Sequence, residues 1–390
     1  MNQKTMPLEQ VKKVELFGER EGGREVGAGG VRLFFLPAVD GHYGLSFQVQ
    51  CGALDAHLGQ AQNQKELCHL VEHMVAGTPV NEGEPLAATA ADYFADFLAI
   101  TGLHDTNFTA IIDDVNDEQN PEHLLRFVGY MHQALYEAEL TEEVFLREKE
   151  VVLQETAENK PKTDKSLARL KSFFSEADFM QFYDRDPEDV KLLTFAMCQK
   201  FYQDVFCKAP LDVVLMGDFP VDDVVAFFAE KDPPSWHPPP QTPFNCKPFI
   251  RLTDSAIEVP VQIQEDEALR YVWLIAFFWQ LDKILSFGDD HEVNNITYGS
   301  VIIYTCPHTV DKVNKSAIKQ ALVKVADLSQ KDFEKVKDEF VRSYSSKENC
   351  IDALELEITP WYCGLISDVH KLDFSTFKIY AKQQKSLPIL

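Results

Sequence analysis

Between Lys231 and Pro248 the chain carries seven prolines, at positions 233, 234, 238, 239, 240, 243 and 248. Each fixes φ and removes a backbone donor, so this stretch cannot run as a helix or a central strand and is expected to be an extended spacer. It cuts the 390 residues into a first part, 1–230, and a second, 249–390, joined by a linker over 231–248. A chain of this length is too long for one ordinary domain, which agrees with the cut.

The first part opens on strand signals. Val31-Arg-Leu-Phe-Phe-Leu36 and Leu45-Ser-Phe-Gln-Val-Gln50 flank Asp40-Gly41, which predicts an antiparallel pair. A helix is expected from about Asn63 to Val75, stopped by Gly77 and Pro79. Ala91 to Ile100 has a helical look, and Thr106 to Asp113 reads as a strand. Two long helices should cover roughly Pro121 to Ala138 and Glu142 to Asn159. Asp212 to Gly217 reads as a buried strand, with an amphipathic helix from Val221 to Ala229. Strands mixed with long helices imply an α+β fold, with helices layered on a mostly antiparallel sheet. A weak echo links the halves: Leu193-Thr-Phe195 precedes Phe201 with the spacing at which Leu372-Asp-Phe374 precedes Tyr380. It suggests two copies of one fold, each segment ending a helical stretch near the close of its domain.

Charge narrows the function. Against 37 basic residues stand 62 acidic ones, a net charge of −25, which would repel a phosphate backbone and excludes a general nucleic-acid binder. With 28 Phe and 45% apolar residues, an intrinsically disordered chain is excluded too. The longest apolar run, Tyr271 to Leu281, is about half of the roughly 20 residues a membrane span needs, so no membrane partner is expected. Charges alternate from Lys4 to Arg24 without the apolar segment of a signal peptide, and eight scattered Cys form no CxxC pair. A cytoplasmic protein with reduced thiols is expected.

The chemistry concentrates in His69-Leu-Val-Glu72-His73. On a helix, positions i and i+4 share a face, so His69 and His73 can meet one metal ion, with Glu72 bordering that face. By itself the motif also fits a surface helix with two solvated histidines over a buried side of Leu67, Leu70, Val71 and Met74. Further on, Arg147-Glu148-Lys-Glu150-Val-Val-Leu-Gln-Glu155 places Glu148 and Glu155 two turns apart on one helical face. Alone, that segment equally suits a charged, solvated flank.

Together the two segments resemble the pitrilysin/insulinase family of zinc metallopeptidases, the inverted zincins with H-x-x-E-H order, and its mitochondrial processing peptidase branch. Cys51-Gly52-Ala53 is similar to the strand end before that family's metal helix, His73-Met-Val-Ala-Gly77-Thr78 to its exit, and Leu211 to Pro220 to its closing strand and turn. The resemblance implies that His69, His73 and Glu155 bind one zinc per chain, that Glu72 is the general base and that Glu148 is the supporting glutamate. It implies two related α+β domains forming half of a clamshell, and a zinc-dependent endopeptidase acting on peptides or unfolded segments.

Two departures accompany it. The family's substrate-binding Asn-Ala-x-Thr falls on Leu98-Ala99-Ile100-Thr101, where Leu98 offers no polar group, unless nearby Asn107 is the true equivalent. The family's Arg and Tyr, seven residues apart in the second half, correspond to His291 and Tyr298. Histidine lacks the permanent charge and the guanidinium fork. Tyr298 is therefore the candidate catalytic residue from this half, and an ordinary strand tyrosine fits equally. The second half also ends at Ser386-Leu-Pro-Ile-Leu390, which reads as a shortened copy without the final strand and helix. The resemblance implies a homo- or heterodimer with a related peptidase subunit, and a non-catalytic interaction subunit is the alternative. If an enclosed site shares the chain's acidity, basic peptides should be its preferred substrates.

Overall fold

The computed structural model describes residues 12–16, 30–36, 43–58, 64, 66–81, 83–93, 95–102, 105–112, 121–158, 187–231, 249–252, 256–262, 267–285, 294–298, 301–307, 313–345, 369 and 371–389. They fall into two compact units, one within 12–231 and the other within 249–389. Each is α+β, with a mostly antiparallel sheet covered by helices.

The first unit begins with β1 (Lys12–Leu16), β2 (Val31–Leu36) and β3 (Tyr43–Val49). Next come the short α1 (Ala53–Leu58) and then α2 (Leu67–Ala76), which carries the histidine motif. A small hairpin, β4 (Pro79–Asn81) and β5 (Glu84–Pro85), leads to α3 (Leu86–Asp92), β6 (Ala95–Thr101) and β7 (Thr106–Ile112). The unit closes with α4 (Pro121–Tyr136), α5 (Glu142–Glu158), α6 (Pro187–Leu192), α7 (Phe195–Asp204), β8 (Leu211–Met216) and α8 (Val221–Ala229).

The six strands lie in the order β1-β2-β8-β3-β7-β6. The expected direct pairing of β2 with β3 is therefore wrong. Strand β8 inserts between them, parallel to β2 with Val31 opposite Leu211, and antiparallel to β3 with Val49 opposite the same residue. Its composition explains the central place. All six residues of Leu-Asp-Val-Val-Leu-Met are buried, as a strand flanked on both sides and covered on both faces requires. The one charge among them, Asp212, receives the fork of Arg32 from β2 and the amide of Gln50 at 2.8 Å. A second expectation also fails. Residues 95–100 are the edge strand β6 and not part of a helix, which ends at Asp92.

At the Cys51 end of β3, two half-buried carboxyls titrate high. Asp55 accepts a hydrogen bond from the Gly52 amide at 2.7 Å, yet burial, with a contribution from the charge of Asp105, pushes its pKa up to about 7. Burial and the charge of Asp212 raise Asp105 to about 6, against the stabilising hydrogen bond from Gln48. Both folded-state values exceed the unfolded value of about 3.9, so between pH 4 and 7 the folded chain holds more protons. The stability they contribute is present at low pH and is lost as pH rises through 6–7. We expect the melting temperature of the first unit to fall from pH 5 to pH 8, and Asp55→Asn with Asp105→Asn to flatten that slope in calorimetry. An unchanged slope in the double variant would assign the pH dependence to other groups.

The second unit contains β9 (Arg251–Leu252), β10 (Ala256–Gln262), α9 (Glu267–Leu285), β11 (Asn294–Tyr298), β12 (Val301–Pro307), α10 (Lys315–Ala326), α11 (Gln330–Ser345) and α12 (Phe374–Gln384). Its sheet runs β11-β12-β10-β9, and α9 buries Trp273, Phe277 and Leu281 beneath α10 and α12. The sequence echo maps onto a shared device, and it starts helices where the sequence suggested ends. Thr194 caps α7 by accepting from the Met197 amide, and Asp373 caps α12 by accepting from the Thr376 amide. Leu193 and Leu372, just before the caps, are both buried. Beyond α12, Ile389 forms a parallel bridge with Ile250, the same kind of pairing that β8 makes with β2. Among the described residues no helix is long and apolar enough to cross a membrane, and Cys51, Cys68, Cys198 and Cys207 are free thiols.

Candidate metal centre

Helix α2 is apolar on the side that meets the core and polar on the other. Leu67, Leu70, Val71, Met74 and Val75 are buried, while His69 and His73 face a pocket of about 520 Å³. The helix packs against α5, α7 and the edge strand β6, and α5 and β6 supply further walls of the histidine pocket. This pocket lies within the first unit.

The two imidazoles stand edge to face, their centroids 4.9 Å apart. Helix α5 brings Glu155 between them. Its Oε2 lies 3.5 Å from His69 Nε2 and 3.4 Å from His73 Nε2. One donor atom from each of His69, His73 and Glu155 lies within 4.8 Å of the others. Tetrahedral zinc with bonds of about 2.0–2.2 Å spaces its ligand atoms roughly 3.3–3.6 Å apart. The two nitrogen–oxygen edges already have that length, and the donor set of two imidazoles and a carboxylate suits this metal. These residues fit the ion that the resemblance implies.

Glu148, two turns before Glu155, reaches the opposite nitrogen of His73, Nδ1, at 3.6 Å. That is too long for a good hydrogen bond and close enough for charge attraction. Glu148 is itself held by Arg147, whose Nε donates to its Oε1 at 2.7 Å and whose Nη2 donates to the Gly77 carbonyl at 2.8 Å. A Cβ at Gly77 would lie 2.7 Å from both Arg147 Nη2 and Glu148 Oε1, so a larger residue there would push these two side-chain ends away. Lys149 fixes the same stretch of α5 by donating to the carbonyls of Lys191 and Leu193. Burial alone would lower the pKa of His73, but contact with Glu148 and the charges of Glu72 and Glu155 leave it raised. Burial would raise Glu148, and the His73 and Arg147 contacts more than offset it, leaving the carboxyl lowered. The acidic groups around His73 thus favour positive charge at the site.

Glu72 sits on the same helix, 4% exposed, and does not join the three-residue cluster. Thr101, the last residue of β6, donates its hydroxyl to Glu72 Oε2 at 2.7 Å. One carboxylate oxygen is thereby held in a pocket that the metal-type cluster also lines. Thr101 stands in the segment the sequence singled out, although its hold on Glu72 was not foreseen.

Strand β6 alternates half-buried Ala95, Phe97, Ala99 and Thr101 with exposed Asp96, Leu98 and Ile100. Leu98 is on the sheet edge. Asn107 is on the interior strand β7, where it accepts from Ser46 at 2.7 Å and donates to Thr109 at 3.0 Å. Asn107 therefore does not take the edge position, which Leu98 occupies. Tyr298 ends β11 in the second unit, opposite Val301. His291 lies outside the described residues. The buried Glu66, which the sequence reading passed over, lies against His69.

No protein-family model matches this chain, and no curated protein matches it in sequence. Solved structures do match its fold. A protein described as an M16-like peptidase from Alicyclobacillus acidocaldarius superposes with a TM-score of 0.63 at 14% identity, over 96% of this chain and 95% of that one. A protease from Helicobacter pylori gives 0.58 at 13%, over 96% of both chains. A peptidase M16 inactive domain from Pseudomonas fluorescens gives 0.56 at 14%, over 96% and 94%. The likeness at these identities is one of fold, which is that of the M16-like peptidases.

Proposed function

We propose that the chain is a zinc-dependent endopeptidase of the pitrilysin/insulinase type, acting on peptides or unfolded segments. The observation that carries this reading is the approach of His69 Nε2 and His73 Nε2 to Glu155 Oε2, at 3.5 and 3.4 Å, beside the buried carboxylate of Glu72. When bound, zinc supplies a Lewis acid that acidifies a water molecule and polarises a carbonyl. His69, His73 and Glu155 would hold it, and Glu148 would support His73 from behind. Glu72, one oxygen fixed by Thr101, takes the proton from the attacking water and returns it to the leaving amine. The outer edge of β6 ends the sheet beside the site and suits a substrate lying as an added strand, paired through its backbone.

A second reading, an interaction subunit released from catalysis, is favoured by Leu98 at the edge and by the inactive domain among the fold neighbours. Under either reading we place a related subunit, or a second copy, beside this chain, and under the peptidase reading Tyr298 is the candidate catalytic residue of the second unit. The experiment is metal analysis together with cleavage of unstructured peptides, run on the chain alone and with a related subunit. The peptidase reading expects about one zinc per chain and turnover in at least one setting. Bound zinc without cleavage in either setting selects the interaction subunit, and absence of zinc rejects the metal centre.

A further inference from the structure

Helix α2 begins at Leu67, and the residue at its N-cap is Glu66. A carboxylate there ordinarily accepts a backbone amide from the first turn, which costs nothing in exposure and offsets the helix dipole. Glu66 makes no such capping bond. Its side chain is 4% exposed and turns along the first turn, so that Oε2 lies 2.9 Å from His69 Nδ1. Burying a carboxylate is costly unless it is hydrogen-bonded, so the cap is forgone in favour of the imidazole.

The chemistry of the pair sets the state of the ring. An ionised carboxylate only accepts, so His69 Nδ1 must carry the hydrogen and donate it. In the neutral ring this leaves the lone pair on Nε2, the nitrogen 3.5 Å from Glu155. Free rotation of the ring would spoil that aim. Glu66 Oε2 on one side and the edge-to-face His73 ring on the other restrict it. His73 has a carboxylate behind it in Glu148, the supporting glutamate that the resemblance implies. His69 has no counterpart in α5.

We infer that Glu66 is a positioning residue for His69, fixing its Nδ1–H tautomer and ring plane so that Nε2 is offered to the metal. This rests on the zinc reading above. Outer carboxylates of this kind change metal affinity by about 10–100-fold when removed. The full chain is compared with Glu66→Gln, whose amide oxygen still accepts from Nδ1, and with Glu66→Leu, which cannot. Zinc affinity is read by competition with a chelating dye, and the tautomer by nitrogen NMR of the labelled, metal-free protein.

The expected result is Nδ1–H for His69 in the wild type and in Glu66→Gln, with zinc affinity in Glu66→Gln within a few-fold of wild type. Glu66→Leu should bind zinc about 10–100-fold more weakly. An Nε2–H tautomer in the wild type overturns the inference, and that measurement needs no variant to fold. Equal affinity in wild type and Glu66→Leu overturns it while leaving the zinc reading intact. So does a loss in Glu66→Gln as large as in Glu66→Leu, since a charge effect would then suffice. A wild-type chain that takes up no zinc overturns the zinc reading and this inference with it, even where the NMR shows the Glu66–His69 bond.

Discussion

Replacing Glu155 by Gln should strip the chain of its metal. Glu155 supplies the oxygen that stands 3.5 and 3.4 Å from the two imidazole nitrogens. The change keeps the side chain's length and removes the charge, leaving two neutral imidazoles and a weakly donating amide. Loss of an outer partner alone costs about 10–100-fold in affinity, so loss of a ligand should exceed 100-fold, or about 2.7 kcal/mol. The fold should tolerate it. The Glu155 side chain is 42% exposed, and substitutions at such positions usually stay within about 0.5 kcal/mol. Zinc content by mass spectrometry and dye competition, beside an unchanged melting temperature of the metal-free protein, would separate a ligand from a structural residue. Wild-type zinc affinity in this variant would remove Glu155 from the ligand set. Glu148→Gln provides the graded comparison, because Glu148 touches His73 without approaching Nε2, and its loss should fall in the lower, 10–100-fold range.

The parts of this site that sequence revealed are those set by local periodicity. His69 and His73 are four apart on one helix, and Glu148 and Glu155 are seven apart on another, so each pair had to share a face once the helices formed. Strand β8 was legible as buried from its apolar run, but its neighbours were not. Nothing local in Leu211–Met216 says that it will separate β2 from β3, because strand order is decided by long-range packing. Strand β6 was misread for a different reason. Leu98 and Ile100 are apolar and yet exposed, so the alternation expected of a half-buried strand was erased and the segment looked helical. Glu66 was missed because it fell inside a helix expected from about Asn63, whereas the helix starts at Leu67, and only the side-chain direction shows that it serves His69. Its position three residues before a histidine was the one clue available.

The Glu72→Gln variant carries the largest expected loss of turnover with the least disturbance of structure. Glu72 is buried and accepts the Thr101 hydroxyl at 2.7 Å, and the amide oxygen of Gln can accept the same bond in the same volume. An unfolding effect is therefore not expected. What Gln cannot do is take a proton from water and hand it on to an amine. General acid–base groups contribute about 10²–10⁴-fold, and here one residue performs both transfers, so kcat should fall by about 10³-fold or more, near 4 kcal/mol. KM should change little, and zinc content should stay at the wild-type level because Glu72 lies outside the ligand cluster. The profile distinguishes roles that activity alone confuses. Lost zinc would move Glu72 into the ligand set, and retained turnover would eliminate it as the base. Thr101→Val refines the test from the strand side. It frees the fixed oxygen of Glu72 without removing the carboxylate, so its effect should be smaller than that of Glu72→Gln and should fall on kcat. An equal loss in both variants would mean that the Thr101 hydroxyl acts on substrate directly and not through Glu72.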